Sequence, residues 1–180
     1  MNNKQSNNNY NKVTIGKGEK KRKVPKTYIP ESLSESDKKK QAKSILQEKK
    51  RPKLESFESK PSPFIKKFIK KYDKKITDKK WIHENLLSYK GQREVLDKAK
   101  GAYFSSGSRP NQTAHSWGRA RLASSITSGK AAAVDYKLLE QGCKKNSKAL
   151  KLAKKSLKKY KMGKRKAPKR INALVNMCKG

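Results

Sequence analysis

The sequence predicts an all-α protein: a small irregular helical domain of about five or six short helices, with a disordered N-terminus and a lysine-rich C-terminal helical tail. Three observations lead there. Apolar residues recur at helical spacing in several short stretches, most clearly Phe64, Ile65, Phe68, Ile69 and Tyr72. Capping residues and glycines bracket those stretches. The composition leaves room for one modest core only: 32% of the 180 residues are hydrophobic, and 49 Lys and Arg against 14 Asp and Glu give a net charge of +35. The boundaries that follow are a disordered basic arm over 1–26, a small helical domain over 27–142 and a basic helical tail over 143–180.

Residues 1–12 are Asn-rich and nearly free of apolar side chains, so disorder is expected. Lys17, Lys20, Lys21, Arg22, Lys23 and Lys26 then form a basic run that serves a phosphate-binding arm or a nuclear-localisation signal. Tyr28-Ile29-Pro30 is expected to be extended. Ser34 with Asp37 three residues on reads as a capping box, opening a helix over about 35–49 with Gln41, Ala42, Ile45 and Leu46 on one stripe. Arg51-Pro52 ends it, and 53–61 is a linker. Ser62 can cap the next helix and Pro63 fits its first turn. Its apolar face faces away from Lys66, Lys67, Lys70, Lys71 and Lys74, which suits a core helix or one lying on a membrane surface.

Thr77-Asp78 opens a short helix with Trp81, Ile82 and Leu86. Gly91 to Lys100 offers another, with Gly101 as its cap. The stretch 101–129 is turn-rich and poor in lysine, which suggests a structured loop. Thr113 starts a helix that ends before Gly129, and one further helix is expected from Lys130 to Glu140. The tail carries thirteen Lys, two Arg and no acidic residue. Leu150, Ala153, Leu157 and Tyr160 recur at helical spacing there, but like charges at i, i+4 would strain such a helix. Folding on binding, or a helix frayed at low salt, is expected. Ala167-Pro168 breaks the pattern, and Ile171, Leu174, Val175 and Met177 suggest a last amphipathic turn.

So cationic a chain points to a polyanion, since each neutralised phosphate releases a counterion. Nucleic acid is the expected partner, DNA favoured. The expected contacts are Lys20, Lys21, Arg22 and Lys23 in the arm. In the tail they are Lys144, Lys145, Lys151, Lys154, Lys155, Lys158, Lys159, Lys164, Arg165, Lys166, Lys169 and Arg170. Of only eight arginines, Arg109, Arg119 and Arg121 fall close together. Their planar, bidentate geometry suits a specific phosphate contact, or an internal salt bridge with Glu94, Asp97 or Asp135.

The stretches 28–47, 53–72 and 101–139 resemble an uncharacterised domain family of nucleocytoplasmic large double-stranded DNA viruses. The most distinctive part is Gly107-Ser108-Arg109-Pro110-Asn111-Gln112-Thr113 with Trp117. The resemblance covers roughly 25–142 and implies a late protein packaged in the virion, with host cytoplasm or nucleus as its site during infection. It implies no activity.

No enzyme, cofactor or metal is expected. His115 near Ser116, Ser105 and Ser106 has no orienting carboxylate at helical spacing, and phosphate-binding glycine loops and metal-ligand spacings are missing. The N-terminus has no apolar stretch of the kind a signal peptide needs, so Cys143 and Cys178 are expected reduced and the Asn111 sequon unused. Two other functions remain open on sequence: a minor capsid or core protein whose basic arms line a shell, contacting other virion proteins, and a peripheral membrane protein using Phe64–Tyr72.

Overall fold

Eight α-helices and one two-stranded hairpin make up the described residues, 11–160, of the computed structural model. The protein is predominantly helical but not purely so. Strands β1 (Lys12–Ile15) and β2 (Arg22–Pro25) pair antiparallel, Val13 opposite Val24 and Ile15 opposite Arg22. The two-residue period of the strands puts Val13, Ile15 and Val24 on one face. There they meet Ile45, Ala42 and Leu46 of α1 (Glu35–Leu46) in a small apolar cluster. The part of the arm over 12–25, expected to be disordered, is therefore ordered. Its short alternation is enough because a helix stripe is there to receive it.

The larger core gathers α2 (Pro63–Tyr72), α3 (Lys79–Asn85), α4 (Tyr89–Ser106), α5 (Ala114–Ile126), α6 (Lys130–Val134), α7 (Tyr136–Gly142) and α8 (Lys148–Tyr160). Phe68, Ile82, Val95, Ala123, Ile126 and Leu139 are fully buried in it. Phe68, Tyr72 and Trp81 form an aromatic trio, with centroids 5.1 to 6.4 Å apart. Most of the apolar face of α2 is thus turned to the core, leaving Phe64 and Ile69 exposed.

Several boundaries shift for local reasons. Ser34 caps α1 by accepting from Asp37 N, but the Asp37 carboxylate bonds Ser56 instead of returning to Ser34. The capping box is half made, and the other half ties α1 to the 53–61 segment. Helix α4 runs through Gly101 to Ser106, the Gly101 backbone staying helical instead of turning left-handed as a cap would. It stops at Gly107, whose φ of +88° lies in the region glycine favours. The helix expected over 130–140 is broken at Asp135 into α6 and α7.

Candidate nucleic-acid interface

One basic surface lies at the hairpin. Gly16 (φ +83°) and Gly18 (φ +55°) turn the chain between β1 and β2. A Cβ at Gly16 would sit 2.5 Å from the Lys20 carbonyl, so glycine is required there. The turn carries Lys17, Lys20 and Lys21 opposite Lys39 and Lys43 of α1, around an open cleft of about 830 Å3 with Glu19 as its one carboxylate. Lys23 projects from the outer face of the hairpin. Arg22 points the other way. Its guanidinium donates to Ile45 O (3.3 Å), Ser105 O (2.9 Å) and Glu48 Oε1 (3.2 Å), bracing the hairpin against α1 and the end of α4.

A second surface is α8. Ala149, Ala153 and Ser156 are buried against the core, and the small size of these residues lets the helix lie close. Lys148, Lys151, Lys154, Lys155, Lys158 and Lys159 are all exposed, without an acidic residue on the helix. Lys148 Nζ lies 5.8 Å from the Tyr72 ring centroid, which joins this row to the lysines of α2. Folding on binding, expected from like-charge strain, gives way to a docked helix. The repulsion is about 0.2–0.5 kcal/mol per pair, against a whole apolar face that the core supplies. Lys144 and Lys145 are exposed on the connection before α8. Lys164, Arg165, Lys166, Lys169 and Arg170, with the last turn expected at 171–177, lie outside the described residues.

The arginines divide. Arg121 turns inward, Nε to Asp135 Oδ2 at 2.8 Å and Nη2 to Oδ1 at 2.7 Å. Lys98 and Ser125 complete the set around this fully buried carboxylate. Burial pushes the Asp135 carboxyl up, but hydrogen bonds and charge from Arg121 and Lys98 outweigh it and hold it below the usual range. Of the two readings open for this residue, the structure places Arg121 in the internal bridge. Arg51, which sequence reasoning passed over as a helix stop, donates to Ser44 O, Lys49 O and Tyr103 O and lies over the Tyr103 ring. Arg109 and Arg119 remain exposed and make no hydrogen bond or ion pair through their guanidinium groups among the described residues.

The 107–113 motif is mostly a structural knot. A Cβ on Gly107 would come within 3.1 Å of the Tyr28 ring. Ser108 O accepts from the Gln41 amide (3.1 Å), and Gln112 O accepts from Tyr103 Oη (2.9 Å). Asn111, at φ +54°, accepts from Leu54 N and donates to Leu54 O and Phe57 O, pinning the linker. Thr113 and Ser116 form a full capping box at the start of α5. The 53–61 linker is thereby tied to the domain, and so is Tyr28, which closes a short 3-10 turn over Lys26–Tyr28 instead of being extended and accepts from the Gln41 amide through its carbonyl.

Other chemistry is sparse. No hydrogen bond joins His115 to Ser116, Ser105 or Ser106, and no group of three metal-ligating side chains occurs among the described residues. The Cys143 thiol is pushed up to about 11 by burial. Among the described residues, no helix is long and apolar enough to cross a membrane.

These features define a small, predominantly helical domain, braced internally by arginine and surfaced with lysine. Its chain belongs to a family of unknown function, DUF5824, whose model matches residues 25–144. No curated protein and no solved structure matches it. The match takes in α1 to α7 and stops short of α8.

Proposed function

We propose that this protein is a virion-associated, non-enzymatic binder of viral nucleic acid, DNA favoured, that condenses or tethers the genome largely without sequence specificity. The observation that carries the reading is the sorting of charge. Lysine collects on two surfaces nearly free of carboxylates, at opposite ends of α4. The hairpin is held to the C-terminal end through Arg22 and Ser105 O. The other end joins the connection to α8 through the Leu87–Cys143 bridge and the bond from Ser88 N to Gly142 O. The 18 residues of α4 set these two attachment points about 27 Å apart. Two surfaces so placed can hold two segments of polyanion at once, which is what tethering requires. The viral setting rests on the sequence resemblance alone.

Phosphate neutralisation makes affinity fall steeply with salt. A duplex titrated between ~50 and ~200 mM salt should lose affinity by at least about tenfold. A smaller change would remove counterion release as the driving force and the proposal with it.

A further inference from the structure

A groove of about 850 Å3 runs between the segment leading into α2 and the start of α5. One wall brings Phe57, Phe64, Lys60 and Lys66, the other Trp117 and Arg109. Three groups of different chemistry lack a partner there. Phe64 is 41% exposed at the first turn of α2. The Ser62 hydroxyl is buried, makes no cap bond and has no hydrogen-bond partner. The Arg109 guanidinium makes no bond among the described residues, although the motif around it is fully bonded. Trp117 is half-buried, held edge to face against Tyr28 at 5.8 Å.

We propose that this groove takes an unpaired base of a single-stranded nucleic acid, stacked against Trp117 and Phe64, with flanking phosphates on Arg109 and on Lys60 and Lys66. The inference rests on the polyanion reading and adds a strand preference to it. Cations stand on both walls with an aromatic strip between them, and a polynucleotide alternates phosphate and flat base in the same order. The lysine face of α2 continues from Lys66 through Lys67 and Lys70, giving the backbone a path beyond the groove. Glu58 is the one carboxylate on the lining. An acidic peptide would satisfy the cations but has no repeating flat apolar partner for the strip.

The chain has two tryptophans, so in a W81F protein emission reports Trp117 alone. Oligo(dT) of about 12 nucleotides should quench it saturably. Inorganic polyphosphate, which carries charge and no base, should bind and leave emission unchanged, as should a duplex of matched length. In the W117F counterpart, where Trp81 reports, the quench should vanish while oligo(dT) still binds. Phe64→Ala and Arg109→Gln should each lower the ratio of oligo(dT) to duplex affinity about fivefold or more. Oligo(dT) binding with no change at Trp117, or equal quenching by polyphosphate, overturns the groove assignment and leaves polyanion binding standing. Quenching by a Glu- and Phe-containing peptide but not by oligo(dT) overturns it in favour of a protein partner. No binding of oligo(dT), duplex or polyphosphate at low salt overturns both proposals.

Discussion

The hairpin end and the α8 end carry similar charge on different foundations. At the hairpin, lysines sit on a glycine turn above a small cluster of Ile15, Val24 and Ile45, and one arginine makes the long-range bonds. At α8, lysines ride a rigid helix whose inner residues, Ala149 and Ala153, belong to the main core. A basic surface thus needs only a scaffold that asks nothing of the lysines themselves. The difference lies in what fails when the scaffold is loosened.

The largest expected effect is at Asp135. It holds Arg121 and Lys98 at the break between α6 and α7, two of the three helices on which α8 rests. Asp135→Asn leaves Arg121, whose side chain is 18% exposed, without its counter-charge, at a cost of about 3 kcal/mol. Urea unfolding should show that loss, with lysines of α8 becoming mobile together with the core. The folded carboxyl titrates below its ordinary value. Its stabilisation is therefore complete above the unfolded carboxylate range and disappears as pH falls through the folded value. In the Asn variant that acid-sensitive part of the stability curve should be missing. An unchanged acid limb would remove Asp135 as the anchor of the α8 end.

Next in size is the difference in local opening. The hairpin buries two apolar side chains, Ile15 and Val24, with Val13 half-buried beside them, so it can peel from α1 without breaching the main core. Amide exchange at Val13 and Val24 should be faster than at Leu152 and Ala153 by roughly tenfold or more, equal to about 1.4 kcal/mol. Val24→Ala should widen the gap. Equal protection at both ends would mean that the molecule opens as one unit.

Much of this was legible before the fold was known. The period of Phe64 to Tyr72, the cap at Thr113 and the proline at position 63 each state their element directly, because a few adjacent residues contain the whole cause. The hairpin was not legible, since four-residue strands among lysines read as a solvated arm until Ile45 is placed beneath them. Nor was the division of the arginines. Arg22, Arg51 and Arg121 bond carbonyls and carboxylates up to 83 residues away, and no local pattern separates them from Arg109. The groove at Trp117 depends on three segments meeting, and the unpartnered Phe64, Ser62 and Arg109 that mark it show only once those segments are in place.

Charge removal at each end tests whether the two surfaces are equivalent. Changing Lys17, Lys20 and Lys21 to Gln should lower the slope of log affinity against log salt by roughly 2.7 for duplex DNA, if all three meet phosphate. The same is expected for Lys151, Lys155 and Lys158. The two sets should add, because the two surfaces share no residue and are attached at opposite ends of α4. Loss of the whole slope from either set alone would reduce the molecule to a single binding surface and end the tethering proposal.

The smallest effect is the most local. Cys143 lies where α7 passes to α8, its amide donating to Leu139 O and its backbone bridged to Leu87. Burial moves its thiol from 9.0 to about 11, so the thiolate fraction near neutral pH falls roughly a hundredfold below that of an open thiol. Because a more basic thiolate is also a better nucleophile, alkylation of Cys143 by iodoacetamide in a C178S protein should be slower by roughly tenfold. The rate should rise in Asp135→Asn, where the seat of α8 is weakened, and stay unchanged in Val24→Ala, where only the hairpin is. A Cys143 that reacts like a free thiol in the unaltered background would show that α8 leaves its seat readily, and the contrast between the two ends would then reverse.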